Sequence, residues 1–553
     1  MFPPKIFLRV LALSLLLADE FGTASAAQFY NAWVSNRFAA FPTQSGPTNN
    51  PDGDADVNLV EFAFGTDPAA ANGGGSVIPK FGALTDTNGI FSVEIFERLG
   101  HQPGAQIDLW LAAKPNATNW FRPWWLRVTT NSQPGDPAGS VRENFSTRLP
   151  GTNAWFVRPS VTLLDAGITN ATYYVATNGS DSNAGTSNAP YATLNKAASV
   201  ANAGNLIYVR GGTFNFSAQA SLSRSGSSNA PIRVRAFPGE HPVLDFTAEP
   251  VSSAGISLSG NWWWLYGLEI AHAGHNGIKI TGVSNIVEFC AVHESGDTGI
   301  QLTTCAYNLI LNCDSYLNYD SPIGGNADGF GCKFVMGPGN VFRGCRSWFN
   351  SDDGWDFWQA TNMIVIDHCM TFSNGFNVYD NPATNIAFNG NGNGFKLGGN
   401  YYYGPHFVTH CVSFGNRVNG FDQNNNNAGQ TVDNCTSWNN GSANFNLNHG
   451  TNITPHVIRN NLSFAGHSGD SFRSGSLLTN NSWQAVSPAP ATSDVLGVDT
   501  AAGAAPRRDD GSLPELLFLR PVPTGRLINK GVKTGETYNG SAPDLGAYET
   551  SEW

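Results

Sequence analysis

Four aspartates crowd the middle of the chain: Asp328, Asp352, Asp353 and Asp356. Carboxylates brought within a few ångströms repel and raise one another's pKa unless a cation neutralises them. A cluster of hard oxygen ligands without His or Cys selects calcium over softer metals. The plainer reading is a set of solvated aspartates, since Asp328-Gly329 and Asp353-Gly354 are common turn pairs. Lys396 adds a second kind of chemistry. Residues 299–450 contain only five Lys or Arg: Lys333, Arg343, Arg346, Lys396 and Arg417. A lysine near such a cluster is either a structural ion-pair partner or a group with a chemical task, and its type alone leaves both readings open.

Whether these side chains meet depends on the elements that carry them. Segments starting at Gly255, Gly277, Gly299, Gly329, Gly354, Gly394, Gly420 and Asn444 repeat one pattern, with successive offsets of 22, 22, 30, 25, 40, 26 and 24 residues. A period in the low twenties with insertions is the signature of a solenoid. The second residue of each segment is apolar, the third mostly polar and the fourth usually apolar, which reads as a short strand alternating in, out, in. Parallel coils stack about 4.8 Å apart, so equivalent positions become neighbours. Asp328 and Asp353 both immediately precede the segment start and fall on adjacent coils. The outward third-position column runs Ser257, Lys279, Gln301, Gly331, Asp356, Lys396, Asp422, Asn446. It predicts Lys396 over Asp356 and beneath Asp422, with four carboxylates on one exterior patch. Lys279 lies three coils from Asp356 and reads as surface.

A second register supports the coils. Cys290, Cys313, Cys345, Cys369, Cys411 and Cys435 recur mid-repeat, and five of them are followed two residues on by Ser or Thr. Three residues further come Asn318, Asn350, Asn374, Asn416 and Asn440. The cysteines predict an inward stack of small free thiols, with one or two disulfides as the rival. The asparagines predict a corner ladder in which Asn takes the left-handed conformation and its amides bond along the axis.

Composition bounds the rest. Charged residues make up 13%, against roughly 25% in average domains, and Gly numbers 61. Such a chain is rich in turns, not helices. A formal charge of -12 argues against a nucleic-acid partner. Any acidic polymer must then be held by local positive charge, which a bound metal could supply. Lys5 and Arg9, the apolar run Val10 to Ala18 and Ala24-Ser25-Ala26 read as an export signal over residues 1–26. That run is too short to span a bilayer, so a secreted, monomeric protein without membrane contact is expected. Residues 27–171 are Trp- and Pro-rich, with alternating runs such as FSVEIFE and WWLRVTT, and predict a small β-rich module. Residues 50–61 fit an EF-hand-type calcium loop, with oxygens from Asn50, Asp52, Asp54, Asn58 and Glu61, although Ala55 replaces the usual turn Gly. The solenoid is placed at 172–553, entered by a helix over Leu194–Ala203 that covers its open end. SAPDLGAYE (541–549) resembles the tail that closes many bacterial β-helices.

The motifs NADGFGCKF, GNVFRGCRSWFNSDDGWDFW, GNGFKLGG and GFDQNNN, within 326–427, resemble the core of polysaccharide lyase family nine, the pectate-lyase-type enzymes. The resemblance covers roughly 172–550 and implies an all-β, right-handed parallel β-helix. It also implies calcium held by Asp328, Asp352, Asp353 and Asp356, Lys396 as catalytic base, and an acidic, pectin-like substrate cleaved by β-elimination. Rhamnogalacturonan and other uronate polymers are alternatives within the family. Two other readings are a glycoside hydrolase, which needs an acid and a second carboxylate at a set separation, and a non-catalytic carbohydrate-binding β-helix in which the Asp–Lys–Asp column is an ion-pair ladder.

Overall fold

A computed structural model describes residues 171–553 apart from 380–387, 450–453, 508–510, 515, 535–537, 539 and 550–553, together with the backbone of six strands between 85 and 163. The proposed export signal and the EF-hand-like loop lie outside the described residues. The chain divides into two units, Met1–Asn170 and Ala171–Trp553. In the first, Thr85–Thr87, Ile90–Arg98, Ser140–Arg148 and Arg127–Thr130 form an antiparallel sheet, and Ala105–Ala112 pairs with Phe156–Leu163. FSVEIFE falls within the second of these strands.

The second unit is a right-handed parallel β-helix of three parallel sheets with ten, twelve and ten strands. Each coil gives one short strand to each sheet, as in Phe330–Lys333, Asn340–Arg343 and Arg346–Trp348. The register is one residue to one residue from coil to coil, so inward columns stack. Phe330, Trp355, Phe395, Phe421 and Phe445 form such a column, with successive ring centroids 4.6, 4.8, 4.9 and 4.9 Å apart. Burying aromatic area continuously along the axis is what holds neighbouring coils together.

Each site-bearing strand is immediately preceded by Gly for a steric reason. A Cβ on Gly354 would lie 2.1 Å from Thr371 Oγ1, because the third-sheet hydroxyl occupies that space. The Ser or Thr two residues after five of the stacked cysteines is thus matched to the Gly that opens the segment. The asparagine ladder is present: Asn318 Nδ2 donates to Asn350 Oδ1 (2.7 Å), Asn350 to Asn374 (2.9 Å), Asn374 to Asn416 (2.9 Å) and Asn416 to Asn440 (3.0 Å). The left-handed backbone, however, belongs to the residue before each ladder member: Leu317, Phe349, Ser373, Gly415 and Asn439. The ladder asparagine turns its amide inward, where it must bond, and leaves the strained turn to its neighbour. A second polar ladder, unseen in the sequence, runs at another corner: Asn285 N donates to Asn308 Oδ1 and Asn308 N to Asn340 Oδ1.

The entry helix, Leu194–Val200, is capped by Thr193 Oγ1 accepting from Lys196 N at 3.1 Å. It ends three residues before the expected Ala203, as the chain turns extended at Ala201 and left-handed at Gly204. Leu194, Ala197 and Ala198 join the core of the first coil. At the other end Trp483 stacks on Phe472, 5.0 Å between centroids. The tail lies along the third sheet instead, where Leu545 and Ala547 pack with Phe414, Trp438 and Phe518.

All eight cysteines are buried and free. Titration with a thiol reagent in denaturant, without reductant, should therefore count eight thiols. Fewer than six would mean the stack is oxidised.

Candidate functional site

The ten-stranded sheet ending in Ser471–Phe472 carries the site. Gly331 pairs with Asp356, Asp356 with Lys396, Lys396 with Asp422 and Asp422 with Asn446, as the column requires. One oxygen from each of Asp328, Asp353 and Asp356 falls within 4.8 Å of the others. Asp352 lies beside them, accepting from Asn391 N. The patch faces outward from the solenoid yet is not solvated: Asp328, Asp352, Asp353, Asp356 and Lys396 are 0, 2, 0, 4 and 7% exposed. The long segment before Gly394 contributes to this cover. Asn393 N and Nδ2 donate to Asp353 Oδ1 at 2.7 and 3.0 Å, and Asn389 N donates to Ile323 O at 2.8 Å.

Two ammonium groups face the four carboxylates. Lys396 Nζ lies 2.9 Å from Asp353 Oδ2 and 3.4 Å from Asp356 Oδ2. Lys333 Nζ lies 2.6 Å from Asp328 Oδ2 and 3.3 Å from Asp356 Oδ2. Asp356 Oδ1 is buried with no hydrogen-bond partner, and Asp353 Oδ2 meets Lys396 at ion-pair distance without hydrogen-bond alignment. Burial first, then Asp356 and Asp353, push the Asp328 carboxyl up to about 7, with Lys333 opposing. Burial and the neighbouring Asp353 and Asp328 hold Asp352 well above the usual range. Asp356 stays below it despite burial, because both lysines face it. Burial would lower the Lys396 pKa, but Asp353, Asp356, Asp352 and Asp328 together raise it well above the ordinary value. Orphaned carboxylate oxygens, and four carboxylates that once ionised outnumber the two ammoniums by two, suit a divalent cation that prefers oxygen.

A family profile described as "Pel9A-like, right handed beta helix region" matches residues 173–461. The chain belongs to this family. It is a polysaccharide lyase of the pectate-lyase type. It is 40% identical over 404 residues to pectate lyase L of Dickeya dadantii (strain 3937), a match covering 70% of this chain and 92% of the relative. A crystal structure of pectate lyase Pel9A superposes with a TM-score of 0.62 at 38% identity, covering 69% of this chain and 98% of that one. A structure titled rhamnogalacturonan lyase follows with a TM-score of 0.54 at 28% identity, covering 63% and 96%.

Two details of this Pel9A-like site differ from the column read in the sequence. Asp422 stacks on Lys396 but is occupied by amides, accepting from Asn419 Nδ2 (2.6 Å) and Asn446 Nδ2 (3.0 Å). The closest partner of Lys396 is Asp353, two positions before the Trp355–Asp356 strand on the preceding coil. Lys333 was missed as a site residue. It sits two positions beyond Gly331 on the same face, and a Cβ on Gly331 would come 3.3 Å from Lys333 Cε. Gly331, the one residue without a side chain in the outward column, was the available signal: it leaves the opening through which Lys333 reaches the carboxylates.

Proposed function

We propose that this Pel9A-like lyase is exported and cleaves a 4-linked galacturonate polymer, pectate, by calcium-dependent β-elimination. The observation that carries the reading is Lys396 Nζ, held 2.9 Å from Asp353 Oδ2 in a buried cluster of four carboxylates faced by two ammonium groups. Asp328, Asp352, Asp353 and Asp356 would hold the cation. Calcium, when bound, supplies positive charge that stabilises the anion developing on the substrate carboxylate. Lys396, as the free amine, takes the C5 proton. The C4–O4 bond then breaks, a C4–C5 double bond forms, and the departing O4 takes up a proton. Burial of the cluster keeps water from screening these charges. The name of the Dickeya relative supports pectate as substrate. The rhamnogalacturonan lyase structure supports a second reading, in which the same elimination acts on a galacturonate bond in a mixed backbone.

The test is incubation with a panel of uronate polymers, following the ultraviolet absorbance of unsaturated products. Polygalacturonate should give the largest signal, chelation should abolish it, and added calcium should restore it. Full activity after exhaustive chelation would rule out the metal's part, and products without a double bond would rule out elimination.

A further inference from the structure

Beyond the ends of three consecutive site strands the chain sets out large aromatic side chains that stay part-exposed among the described residues. Phe334 follows Lys333, Trp358 lies two residues past Asp356, and Tyr401, Tyr402 and Tyr403 follow the Lys396 strand across Gly398 and Gly399. Their exposures are 39, 36, 59, 37 and 50%. Scattered exposed apolar residues are ordinary, but a contiguous group beside a buried charged site marks a binding surface. These residues are linked. Phe334 and Trp358 meet edge-on at 5.7 Å, and Phe334 N donates to Trp358 O at 2.9 Å. The Trp358 ring lies against Gly399, where a Cβ would come 2.6 Å from its Cδ1. The tyrosine loop is tied to the next coil by Tyr401 N donating to Asn425 O (3.1 Å) and Asn427 N donating to Tyr402 O (2.9 Å). The surface is therefore preorganised, which lowers the entropic cost of binding.

Charge is divided across the same strands. Asp320, Asp328, Asp352 and Asp353 precede them, whereas residues 334–337, 357–362, 397–406 and 423–430 contain no Asp or Glu. The segments beyond the strands thus carry no carboxylate to repel a polyanion laid across them. Aromatic faces with polar tips suit a pyranose ring, which offers C–H groups on its face and hydroxyls at its edge.

We infer that Phe334, Trp358 and the Tyr401–Tyr403 loop form a stacking shelf that holds uronate rings of the polymer on one side of the bond being cleaved, with Trp358 at its centre. The inference rests on the reading of the protein as a uronate-polymer lyase. Trp358→Ala should raise KM for polygalacturonate about tenfold, the usual loss on truncating one anchoring aromatic, with most of the effect in KM. Trp358→Phe should recover most of it. The effect should shrink on the shortest oligomer that is cleaved, which cannot span both site and shelf. Retardation in polygalacturonate gels should fall in the same variants, a readout that needs no turnover. If Trp358→Ala does not fold, the paired change Tyr401→Ala and Tyr402→Ala serves, with the same expected KM shift. An active wild type whose KM and gel retardation are unmoved by these changes overturns the shelf alone. A wild type that cleaves no uronate polymer overturns the lyase reading beneath it.

Discussion

Lys396→Ala should lower turnover by between about a hundredfold and about ten-thousandfold, the span that a positioned general base contributes, while the protein keeps its fold and still binds polymer. The argument rests on place as much as type. Lys396 is the ammonium nearest Asp353, and its side chain keeps 9% exposure (Lys333 keeps 12%) where those of Asp328, Asp353 and Asp356 keep 0 to 6%, so the two lysines are the parts of the cluster most open to a substrate. Its charge state sets the pH dependence. Burial lowers its pKa and the four carboxylates raise it further, so without metal the amine is held protonated well into the alkaline range. As the proposed base, Lys396 could accept the C5 proton only as the neutral amine. Activity should therefore rise with pH by about tenfold per unit until the pKa of the loaded enzyme is reached, and cation binding should move that limb towards neutrality by cancelling the carboxylates' field. Lys396→Arg should be nearly as damaging as Lys396→Ala, because a guanidinium is far harder to deprotonate. The measurement is kcat against pH for the three proteins under saturating calcium. If Lys396→Ala retained more than a tenth of wild-type turnover, a loss under ~1.4 kcal/mol, the base would lie elsewhere, and Lys333 would be the next group to replace.

The site was legible because a parallel β-helix converts sequence period into spatial contact. The pairings Gly331–Asp356–Lys396–Asp422 follow from counting, since every coil adds one residue to each column. The same counting located the cysteine stack and the asparagine ladder. What counting misses is side-chain reach and the irregular parts of coils. Lys333 crosses from one position to another because Gly331 leaves room for it, and no column records that. The burial of the cluster depends on residues 389–393, an insertion outside the repeat, so the exterior patch expected from the strands is a covered recess. The Asn285–Asn308–Asn340 ladder is hard to read from the sequence because Ile364 interrupts it on the next coil and His406 and Gln430 then accept in place of asparagine.

Asp353→Ala should lower kcat/KM by roughly a thousandfold, about what removing one directed electrostatic partner of the transition state does, and weaken calcium binding by at least about a hundredfold. Asp353 holds this place because Asn393 takes Oδ1 through two hydrogen bonds, which aims Oδ2 at Lys396 and the other carboxylates. The solenoid should survive, as the Phe330–Trp355–Phe395 column and the asparagine ladder are untouched by the change. Removing one of four buried like charges also relieves repulsion in the metal-free protein. The raised pKa of Asp328 gives a second signature. A carboxyl with a folded pKa of about 7, above its unfolded value, binds more protons folded than unfolded. In the metal-free protein that contribution to stability is present in acid and is lost as pH rises through about 7. Calcium held by this cluster, as proposed, would have to displace the same proton, so its affinity should rise over that window. The increase in Tm on adding calcium should consequently be small near pH 5 and large near pH 8 in the wild type, and much reduced at both in Asp353→Ala. Calorimetric titration and thermal melts at the two pH values give both quantities. An equal calcium-induced shift at both pH values, or wild-type calcium affinity in Asp353→Ala, would place the cation outside this cluster.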